Sequence, residues 1–458
     1  MGGEKGMSDT IAAIATGSQV AAIGIIRLSG ERAIDIVDSL FFPASGKAMR
    51  DSESRKLVYG SLRDRKGELL DLCLCTISRA PNSYTGEDTA ELQCHGSPVV
   101  LRAALEEIFA LGARQAGPGE FTRRAFLSGR MELTAAEAVA DMIDAESVEY
   151  AKNAAGQLSG AIDKKAEGIY SALTDISSHY HAVLDYPDED IEDFRLEAYR
   201  GALEDAIRAL RALLASFDRG QLMRSGIPAA IVGRPNAGKS SLLNALLGYD
   251  RAIVTAVPGT TRDTIEEKLR IGSVCLRLTD TAGIRKTEDE VERSGVQRSR
   301  NAMEKATLVL AVIDGSQELS DEDREIIAAA EAAPHGLVVL SKQDLAQRAG
   351  PVGTCLPVVE LSSVTGEGID RLEKAIGEMF PVPQVPAGEI LTNARQAEAV
   401  KRALDALDAA LEAMCCGATP DIVLTETEGA MSALGELNGR TVREDVTNRI
   451  FQRFCVGK

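Results

Sequence analysis

A short loop rich in small residues is the feature that most restricts how this chain can fold. The string GRPNAGKS, Gly233 to Ser240, follows the apolar run IPAAIV and precedes the helix-forming run SLLNALLG. Between a strand and a helix, such a loop lets backbone N–H groups and the helix N-terminus surround phosphate groups. Lys239 would then reach the β- and γ-phosphate oxygens, and the Ser240 hydroxyl would bind Mg²⁺. The loop therefore predicts a nucleotide-binding α/β domain.

Two segments after the phosphate loop occur in the sequence order expected of switches that sense the γ-phosphate. In GTTRD, residues 259–263, a threonine on a mobile loop can close onto Mg²⁺, and we predict that Thr261 is this ligand. The string DTAG, residues 280–283, follows the strand-like run VCLRLT. There Asp280 would hold Mg²⁺ through water and the amide of Gly283 would contact the γ-phosphate.

Two more segments predict that the base is guanine. In SKQD, residues 341–344, the carboxylate of Asp344 can accept hydrogen bonds from N1–H and the 2-amino group of guanine, which adenine lacks. The usual pattern begins with asparagine, so Ser341 is a departure, from which we expect a looser loop or weaker base binding with the guanine preference intact. The string LSSVTG, residues 361–366, would close over the base through backbone groups.

Together these segments predict a GTP hydrolase, with a GTP-binding set drawn from all five. The set is Asn236, Ala237, Gly238, Lys239, Ser240, Ser241, Thr255, Ala256, Val257, Pro258, Gly259, Thr260, Thr261, Asp280, Thr281, Ala282, Gly283, Ser341, Lys342, Gln343, Asp344, Ser362, Ser363 and Val364.

The residue after DTAG indicates an unusual route to hydrolysis. Small switch GTPases commonly place a water-orienting glutamine there, but this chain has Ile284, whose aliphatic side chain cannot polarise water. The acidic stretch at residues 288–292 lies within reach, and Glu292 is the best candidate to position water. A solvated acidic face is the alternative interpretation of that stretch.

Length and composition predict a multidomain cytoplasmic protein. A chain of 458 residues exceeds what one hydrophobic core usually supports, and no run approaches the roughly 20 apolar residues that span a bilayer. The amino terminus does not resemble a secretory signal, and Met7 is a possible natural start. The eight cysteines form no CxxC pair, and a net charge of −18 confines any RNA contact to a local basic face.

The periodicity of the chain predicts four segments. Residues 19–30 and 72–78 have the pattern of buried strands, with amphipathic stretches such as 99–111 between them, whereas 120–221 and 394–414 are alanine-rich with helical spacing. We predict an amino-terminal α/β domain, an all-α helical domain in two halves, and a Ras-like P-loop G domain inserted between them. The amino-terminal domain is predicted at residues 7–124 and the G domain at 222–384. The two halves of the helical domain are predicted at 125–221 and 385–458.

Several strings together resemble one known family. GRPNAGKS, PGTTRD, DTAGIR, DEVER, SYTGEDTAEL and the terminal FCVGK are similar to the TrmE family of bacterial tRNA-modification GTPases, over nearly the whole chain from Met7. The fold implied is a tetrahydrofolate-binding-like amino-terminal domain, a helical domain and a Ras-like G domain, with residues 7–124 as the folate-binding and dimerisation domain. The activity implied is formation, with an FAD-bearing partner resembling MnmG, of a 5-carboxymethylaminomethyl or aminomethyl group on the wobble uridine of certain tRNAs.

The resemblance also implies cofactors and residue roles. In the family the G domains dimerise across the nucleotides, and K⁺ takes the place of an arginine finger, so the chain is expected to be a homodimer that forms a heterotetramer with its partner. The K⁺ ligands would be Asn236, Thr255, Val257 and Thr260, and Glu292 would orient water. 5-Formyltetrahydrofolate or a related tetrahydrofolate would bind at Arg27, Glu87, Arg130 and Lys458, with lysine common in the family where this chain has Arg130.

Two further features leave alternatives open. Cys455 in the FCVGK tail is either a nucleophile that adds to uracil or a buried structural cysteine in a docked tail. Two groups of basic residues could face tRNA or could be ordinary solvated charges. They are Arg114, Arg123, Arg124 and Arg130, and Arg440, Arg443, Arg449, Arg453 and Lys458.

Two functions compete with tRNA modification. A ribosome-assembly or signalling switch of the Era-like class would have conformational state as its output, but the folate-like domain and terminal FCVGK disfavour it. A folate enzyme resembling aminomethyl transferases, regulated by its G domain, is the third hypothesis.

Overall fold

The structure is a computed structural model, and it describes the greater part of the chain. The described residues are 9–17, 19–185, 195–249, 267–272, 274–278, 303, 305–381, 386–440, 447, 450–452 and 454–457. The chain divides into two compact units. The first comprises Met1–Ala140, Leu158–Leu203 and Asp405–Lys458, and the second comprises Asp141–Gln157 and Glu204–Leu404.

A seven-stranded sheet forms the amino-terminal part of the first unit. Its strands are β1 (Ile11–Ile14), β2 (Ala21–Ser29), β3 (Phe41–Pro43), β4 (Val58–Arg63), β5 (Leu69–Ser78), β6 (Thr89–Gly96) and β7 (Arg114–Gln115). The order is β3-β4-β5-β6-β2-β1-β7, and every pair is antiparallel except β1 with β7. The strands predicted at 19–30 and 72–78 are confirmed as β2 and β5.

Strands β2 and β5 are buried mainly on one face, so they are half-buried rather than buried on both faces as the apolar runs predicted, whereas the short strand β1 is buried on both. In β5 the side chains of Cys73, Cys75 and Ile77 are buried, while the alternate positions are partly or fully exposed. The helices α1 (Ala33–Leu40) and α2 (Pro98–Ala110) pack on the buried face. The cysteines there act as small hydrophobic side chains in the core.

Helices dominate the segments that follow and close the chain, as their alanine-rich periodicity predicted. They are α3 (Glu120–Leu127), α4 (Leu133–Ile143), α5 (Val148–Leu158), α6 (Ala161–Asp185), α7 (Arg200–Ala215) and α8 (Phe217–Ser225), then α12 (Ala394–Cys415) and α13 (Pro420–Asn438) near the carboxyl end. Within the first unit α13 packs on α6.

The second unit contains a six-stranded sheet between helices. Its strands are β8 (Ile227–Val232), β9 (Glu267–Ile271), β10 (Val274–Leu278), β11 (Leu308–Asp314), β12 (His335–Ser341) and β13 (Val358–Glu360), and its helices include α9 (Lys239–Tyr249), α10 (Asp321–Glu331) and α11 (Ile369–Met379). The order is β13-β12-β11-β8-β10-β9, with every pair parallel except β9 with β10.

Burial on both faces explains the continuous apolar composition of the central strands. In β11, Leu308, Leu310 and Val312 belong to one core, whereas Val309 and Ala311 belong to the core on the other face. Parallel strands are covered by helices on both sides, so they have no polar face. The carboxyl ends of β8, β11 and β12 lie at one edge of the sheet, where ligands of such folds bind. Within the described ranges, no helix has the length and apolar character needed to cross a membrane.

Candidate functional site

The phosphate loop connects the end of β8 to the start of α9. A Cβ at Gly233 would lie 2.4 Å from the Val312 carbonyl oxygen, so only glycine fits where the loop passes β11. Asn236 and Gly238 have φ angles of 62° and 97°, in the left-handed region that asparagine and glycine tolerate best. These three residues shape the loop predicted from the sequence.

Lys239 is held inside this loop. Its Nζ donates hydrogen bonds to the carbonyl oxygens of Gly233 and Arg234, each at 2.7 Å. Burial lowers the pKa of the Lys239 ammonium below its usual value, because desolvation penalises the charged form. A phosphate near Nζ would counter that penalty, so anion binding and a charged lysine favour each other.

Ser341 connects the base-recognising segment to the phosphate loop. Its side chain is buried, with Oγ 2.6 Å from the Ala237 carbonyl oxygen and 3.0 Å from that of Ile313. A hydroxyl has one proton to share between these two acceptors. The expectation that serine loosens this loop is wrong, because the short side chain bonds directly to the loop beside it.

Asp344 projects from the same segment and is oriented by the next loop. Its Oδ1 accepts a hydrogen bond from Ser362 Oγ at 2.6 Å, while the residue as a whole is exposed. Ser362 Oγ in turn accepts from the backbone N–H groups of Val364 at 3.3 Å and Thr365 at 3.2 Å. The carboxylate is therefore fixed in direction before any base arrives.

Lys342 pairs with an aspartate that the sequence analysis did not identify. Its Nζ lies 2.6 Å from Oδ2 of Asp314, the last residue of β11. Burial raises the pKa of the Asp314 carboxyl, but hydrogen bonds from Lys342 and Ser316 outweigh it and the pKa is lowered. A polar residue ending a fully apolar strand is the pattern that could have indicated it.

The structure thus brings together two groups of predicted residues. The phosphate-loop residues lie with Ser341, and Asp344 lies with Ser362. The remaining predicted GTP and metal positions are outside the described residues. These are Thr255, Ala256, Val257, Pro258, Gly259, Thr260, Thr261, Asp280, Thr281, Ala282, Gly283 and Glu292.

In the first unit, the predicted folate residues Arg27 and Glu87 do not pair with each other. The Nε of Arg27 donates to Glu91 at 2.8 Å, and its guanidinium lies over the rings of Tyr84, at 5.6 Å, and Phe121, at 5.7 Å. Glu87 instead accepts hydrogen bonds from Ser29 Oγ at 2.7 Å and from Arg124. Each residue therefore makes a salt bridge, Arg27 with Glu91 and Glu87 with Arg124.

The carboxyl-terminal tail docks beside the same region. The backbone N–H of Gly119 donates to the carbonyl oxygen of Cys455 at 3.2 Å, and Gly457 passes so close that a Cβ would lie 2.5 Å from the Ile14 carbonyl oxygen. The side chain of Cys455 is exposed, so the buried-cysteine interpretation is wrong. Lys458 lies outside the described residues.

Arg130 and Glu87 belong to adjacent loops. A Cβ at Gly86, next to Glu87, would lie 2.7 Å from Ser128 Oγ and 3.4 Å from Arg130 Cγ. Gly86 has a φ angle of 80°, so its conformation as well as this contact requires glycine. Two of the predicted folate positions, Glu87 and Arg130, therefore lie on loops that contact each other.

Arg114 and Arg124 belong to a charge network rather than to a free basic face. The side chain of Arg124 is 11% exposed and lies 2.9 Å from Glu87, 2.8 Å from Asp9 and 3.1 Å from Glu120. Arg114 also pairs with Asp9 and Glu120. Three carboxylates therefore offset the charge of these two arginines, and their contact with tRNA stays a prediction.

This network predicts a pH dependence of stability at Glu120. Burial raises the pKa of this carboxyl, but hydrogen bonds from Arg114, the Gly117 amide and Arg124 outweigh it and lower the pKa from 4.5 to about 2. Since the folded pKa is depressed, the stabilisation is present above pH 4.5 and is lost as pH falls toward 2. Glu120→Gln should lower the free energy of unfolding by about 1 kcal/mol at pH 7, a value reduced for solvent screening.

Urea unfolding between pH 7 and pH 2.5 would check this expectation. The deficit of Glu120→Gln relative to the wild type should shrink as the pH falls. Glu53→Gln is a matched control, because Glu53 is 80% exposed and lies 3.8 Å from Lys56. A constant deficit across the pH range would contradict the assignment.

The second unit has the fold and site of a P-loop guanine-nucleotide-binding domain. Family models match the rest of the chain as well: "GTP-binding protein TrmE N-terminus" over residues 10–130 and "MnmE helical domain" over residues 133–455. The tRNA modification GTPase MnmE of Alkaliphilus oremlandii is 40% identical over 460 residues, covering 99% of this chain and 100% of the relative. That of Synechococcus sp. (strain JA-3-3Ab) is 42% identical, covering 99% of each.

The chain therefore belongs to the MnmE (TrmE) family of tRNA modification GTPases. It is a GTPase with a TrmE amino-terminal domain, a helical domain and a Ras-like G domain, as the sequence predicted. Among solved structures, the G domain of the T. maritima FeoB iron transporter matches 33% of this chain and 97% of its own at 25% identity, with a TM-score of 0.26. That likeness is too weak to bear on the assignment.

Proposed function

We propose that this chain is a potassium-stimulated GTPase that, with an FAD-bearing partner resembling MnmG, forms the 5-carboxymethylaminomethyl or aminomethyl group on wobble uridine of certain tRNAs. The supporting observation is the match to tRNA modification GTPases over 99% of the chain. Amino-terminal, helical and nucleotide-binding segments are thus present in one polypeptide. GTP turnover would drive rearrangement of the domains rather than supply the added carbon.

The described part of the nucleotide site fits GTP and Mg²⁺. The Lys239 ammonium is held in the loop, Ser240 follows it in the first turn of α9, and Asp344 is oriented by Ser362. Mg²⁺, when bound, would offset negative charge on the phosphate oxygens. We assign Ser240 and Thr261 as its ligands, with Thr261 outside the described residues.

Potassium stimulation accounts for a G domain that lacks the usual glutamine. Asn236 is exposed at the turn of the phosphate loop, where its side-chain oxygen is accessible to a monovalent cation. We assign it as a K⁺ ligand with Thr255, Val257 and Thr260, which lie outside the described residues. A cation there would offset charge that develops on the phosphate oxygens as the bond breaks.

Glu292→Ala should remove most of the potassium-stimulated hydrolysis. Without a carboxylate to orient water, we expect the rate in KCl to fall at least tenfold while GTP affinity changes less than twofold. Glu290→Ala, in the same acidic stretch, is the control and should retain the rate. Phosphate release in KCl and in NaCl would measure both, and a Glu292→Ala protein that still responds to K⁺ would refute the role.

We propose that a formyl-tetrahydrofolate binds near Arg27, Glu87, Arg130 and Lys458. The guanidinium of Arg27 lies over two aromatic rings, and Glu87 is held by Ser29 and Arg124, so both charges are positioned before binding. Arg27 suits the glutamate carboxylates of a folate, and Glu87 suits the amide-like pterin edge. The exposed thiol of Cys455 keeps its proposed nucleophilic role on uracil chemically accessible.

We also propose a homodimer through the amino-terminal sheet. The face opposite α1 and α2 exposes large apolar side chains: Ile23 (59%), Tyr59 (53%), Phe42 (49%) and Leu72 (47%). Strand register places Phe42 and Leu72 opposite Ser61, on the same face. A second copy would remove this patch from water. We further propose that this homodimer binds tRNA and forms a heterotetramer with the MnmG-like partner.

Mass analysis of wobble uridines tests the function as a whole. Nucleosides from cells lacking the gene should lose the carboxymethylaminomethyl or aminomethyl derivatives, and restoring the gene should return them. Unchanged nucleosides would overturn the proposal and favour the Era-like switch. The match to a TrmE amino-terminal domain over residues 10–130 argues against that alternative.

A further inference from the structure

One carboxylate in the second unit contacts both strands of the antiparallel pair β9–β10. Glu146 lies in the turn between α4 and α5, with Oε1 2.8 Å from Lys268 Nζ on β9. Its Oε2 lies 3.3 Å from Cys275 Sγ on β10. Because Cys275 pairs with Arg270 in the register of the two strands, the contacts fall on neighbouring parts of one ribbon. The Glu146 side chain therefore forms hydrogen bonds with both strands of the pair.

The strand pair connects the two segments proposed to sense the γ-phosphate. β9 begins at Glu267, shortly after Thr261 in the sequence, and β10 ends at Leu278, just before Asp280. Switch segments change their order when the γ-phosphate binds or leaves. Each segment is therefore continuous in sequence with a strand that Glu146 contacts, at Lys268 on β9 and at Cys275 on β10.

The packing beside this contact leaves room for the strand pair to shift. A pocket of about 140 Å³, partly open to solvent, lies next to Cys275. Its walls include Val274, Ile227, Leu222 and Met379. Protein interiors are normally close-packed, and movement between packed elements requires an alternative arrangement rather than continuous deformation. The pocket between β10 and the neighbouring helices leaves space for β10 to shift.

The helix that follows Glu146, α5, also forms hydrogen bonds with the return linker, residues 386–393, which follows the G domain in the sequence. Asn153 on α5 donates through Nδ2 to the Ile390 carbonyl oxygen at 3.0 Å and accepts at Oδ1 from the Gly388 amide at 3.0 Å. Gln157 donates to the same Ile390 oxygen at 2.6 Å. The segment 141–157 is thus connected to the strand pair at one end and to the return linker along its length.

We propose that Glu146 is a positioning residue that couples the nucleotide state of the G domain to the helical segment 141–157. Its bond to Lys268 holds the strand pair in one arrangement, and the presence or absence of γ-phosphate changes the strength of that bond. The coupling rests on the proposed function only in that the segments containing Thr261 and Gly283 are taken as γ-phosphate sensors. It adds a residue outside the nucleotide site to the set that decides between GTP and GDP.

A double-mutant cycle on the full chain tests this coupling. The measured quantity is the ratio of the Kd for GDP to that for a non-hydrolysable GTP analogue. Glu146→Gln and Lys268→Gln should each change this ratio by about threefold in the same direction, as expected for a half-exposed ion pair, and the double variant should change it no further. The charge-swapped variant Glu146→Lys with Lys268→Glu should move the ratio back toward the wild type.

Controls separate the possible failures. Lys374→Gln with Glu378→Gln removes an exposed ion pair on α11 and should leave the ratio unchanged. If Thr261→Ala changes the ratio but Glu146→Gln and Lys268→Gln do not, the coupling is refuted and the switch assignment stands. If Thr261→Ala has no effect, the switch assignment fails. Purely additive single effects, or a charge swap that leaves the ratio as altered as the single variants do, would also overturn the role.

Discussion

Asp344→Asn is expected to lower the affinity for GTP by on the order of 10²- to 10³-fold, because one of two charge-assisted hydrogen bonds to the guanine edge becomes a donor–donor contact and the other loses its charge. An asparagine amide retains one acceptor but turns a donor toward the donors of the base. The hydrogen bond from Ser362 Oγ fixes the direction of this side chain, so it cannot rotate freely away from the mismatch. Replacing one carboxylate oxygen of Asp344 by an NH₂ group should therefore weaken GTP binding strongly.

Xanthosine triphosphate provides the complementary measurement. Its carbonyl at position 2 accepts a hydrogen bond from the new amide, so the same variant should bind it more tightly than the wild type does. Fluorescence titration with both nucleotides would give the two affinities. Asp370→Asn, an exposed change in the first turn of α11, is the control and should alter neither. Unchanged GTP binding, or no gain for xanthosine triphosphate, would show that Asp344 does not recognise the base.

Gly220→Ala is expected to lower the free energy of unfolding by about 3 kcal/mol or more. A Cβ at this position in α8 would lie 1.8 Å from the Leu391 carbonyl oxygen, far inside van der Waals contact. The neighbouring Leu391 amide donates to Ser216 Oγ at 3.0 Å, so the linker cannot withdraw without losing that bond. The clash must therefore be relieved by separating backbone from backbone.

Gly377→Ala on α11 is the matched control for this prediction. Nothing lies within 4 Å of the Cβ that it would add, and alanine in an open helix interior favours folding by about 0.5–1 kcal/mol relative to glycine. Thermal and urea unfolding of the two variants should give changes of opposite sign. Equal stability of Gly220→Ala and the wild type would mean that α8 and the linker do not make this contact.

The predictions from the sequence were most accurate where a local pattern decides the structure. The apolar run before Gly233 forms β8, and the run after Lys239 forms α9, because strand and helix periodicities are properties of short segments. The chemical classes of the phosphate loop and of Asp344 follow from the same local strings. The sequence analysis was wrong about Ser341, whose effect depends on a carbonyl 104 residues away in the chain.

The partners of charged residues were also beyond what local sequence patterns could predict. Arg114 and Arg124 have the composition of a basic patch, and their ion pairs with Glu87, Glu120 and Asp9 could not be inferred from spacing because these partners come from three separate segments. The partnership of Lys342 with Asp314 was missed for the same reason.

By itself the sequence determined the elements, the kind of nucleotide and the family, since these depend on residue type, period and local order along the chain. Only the tertiary structure decided which charges are free, which loops are bonded together and where the strand pair β9–β10 is held. Those outcomes depend on distances between segments remote in sequence. Folding sets such distances through packing, and at 2.6–3.3 Å they determine whether a polar group binds a ligand or its own protein.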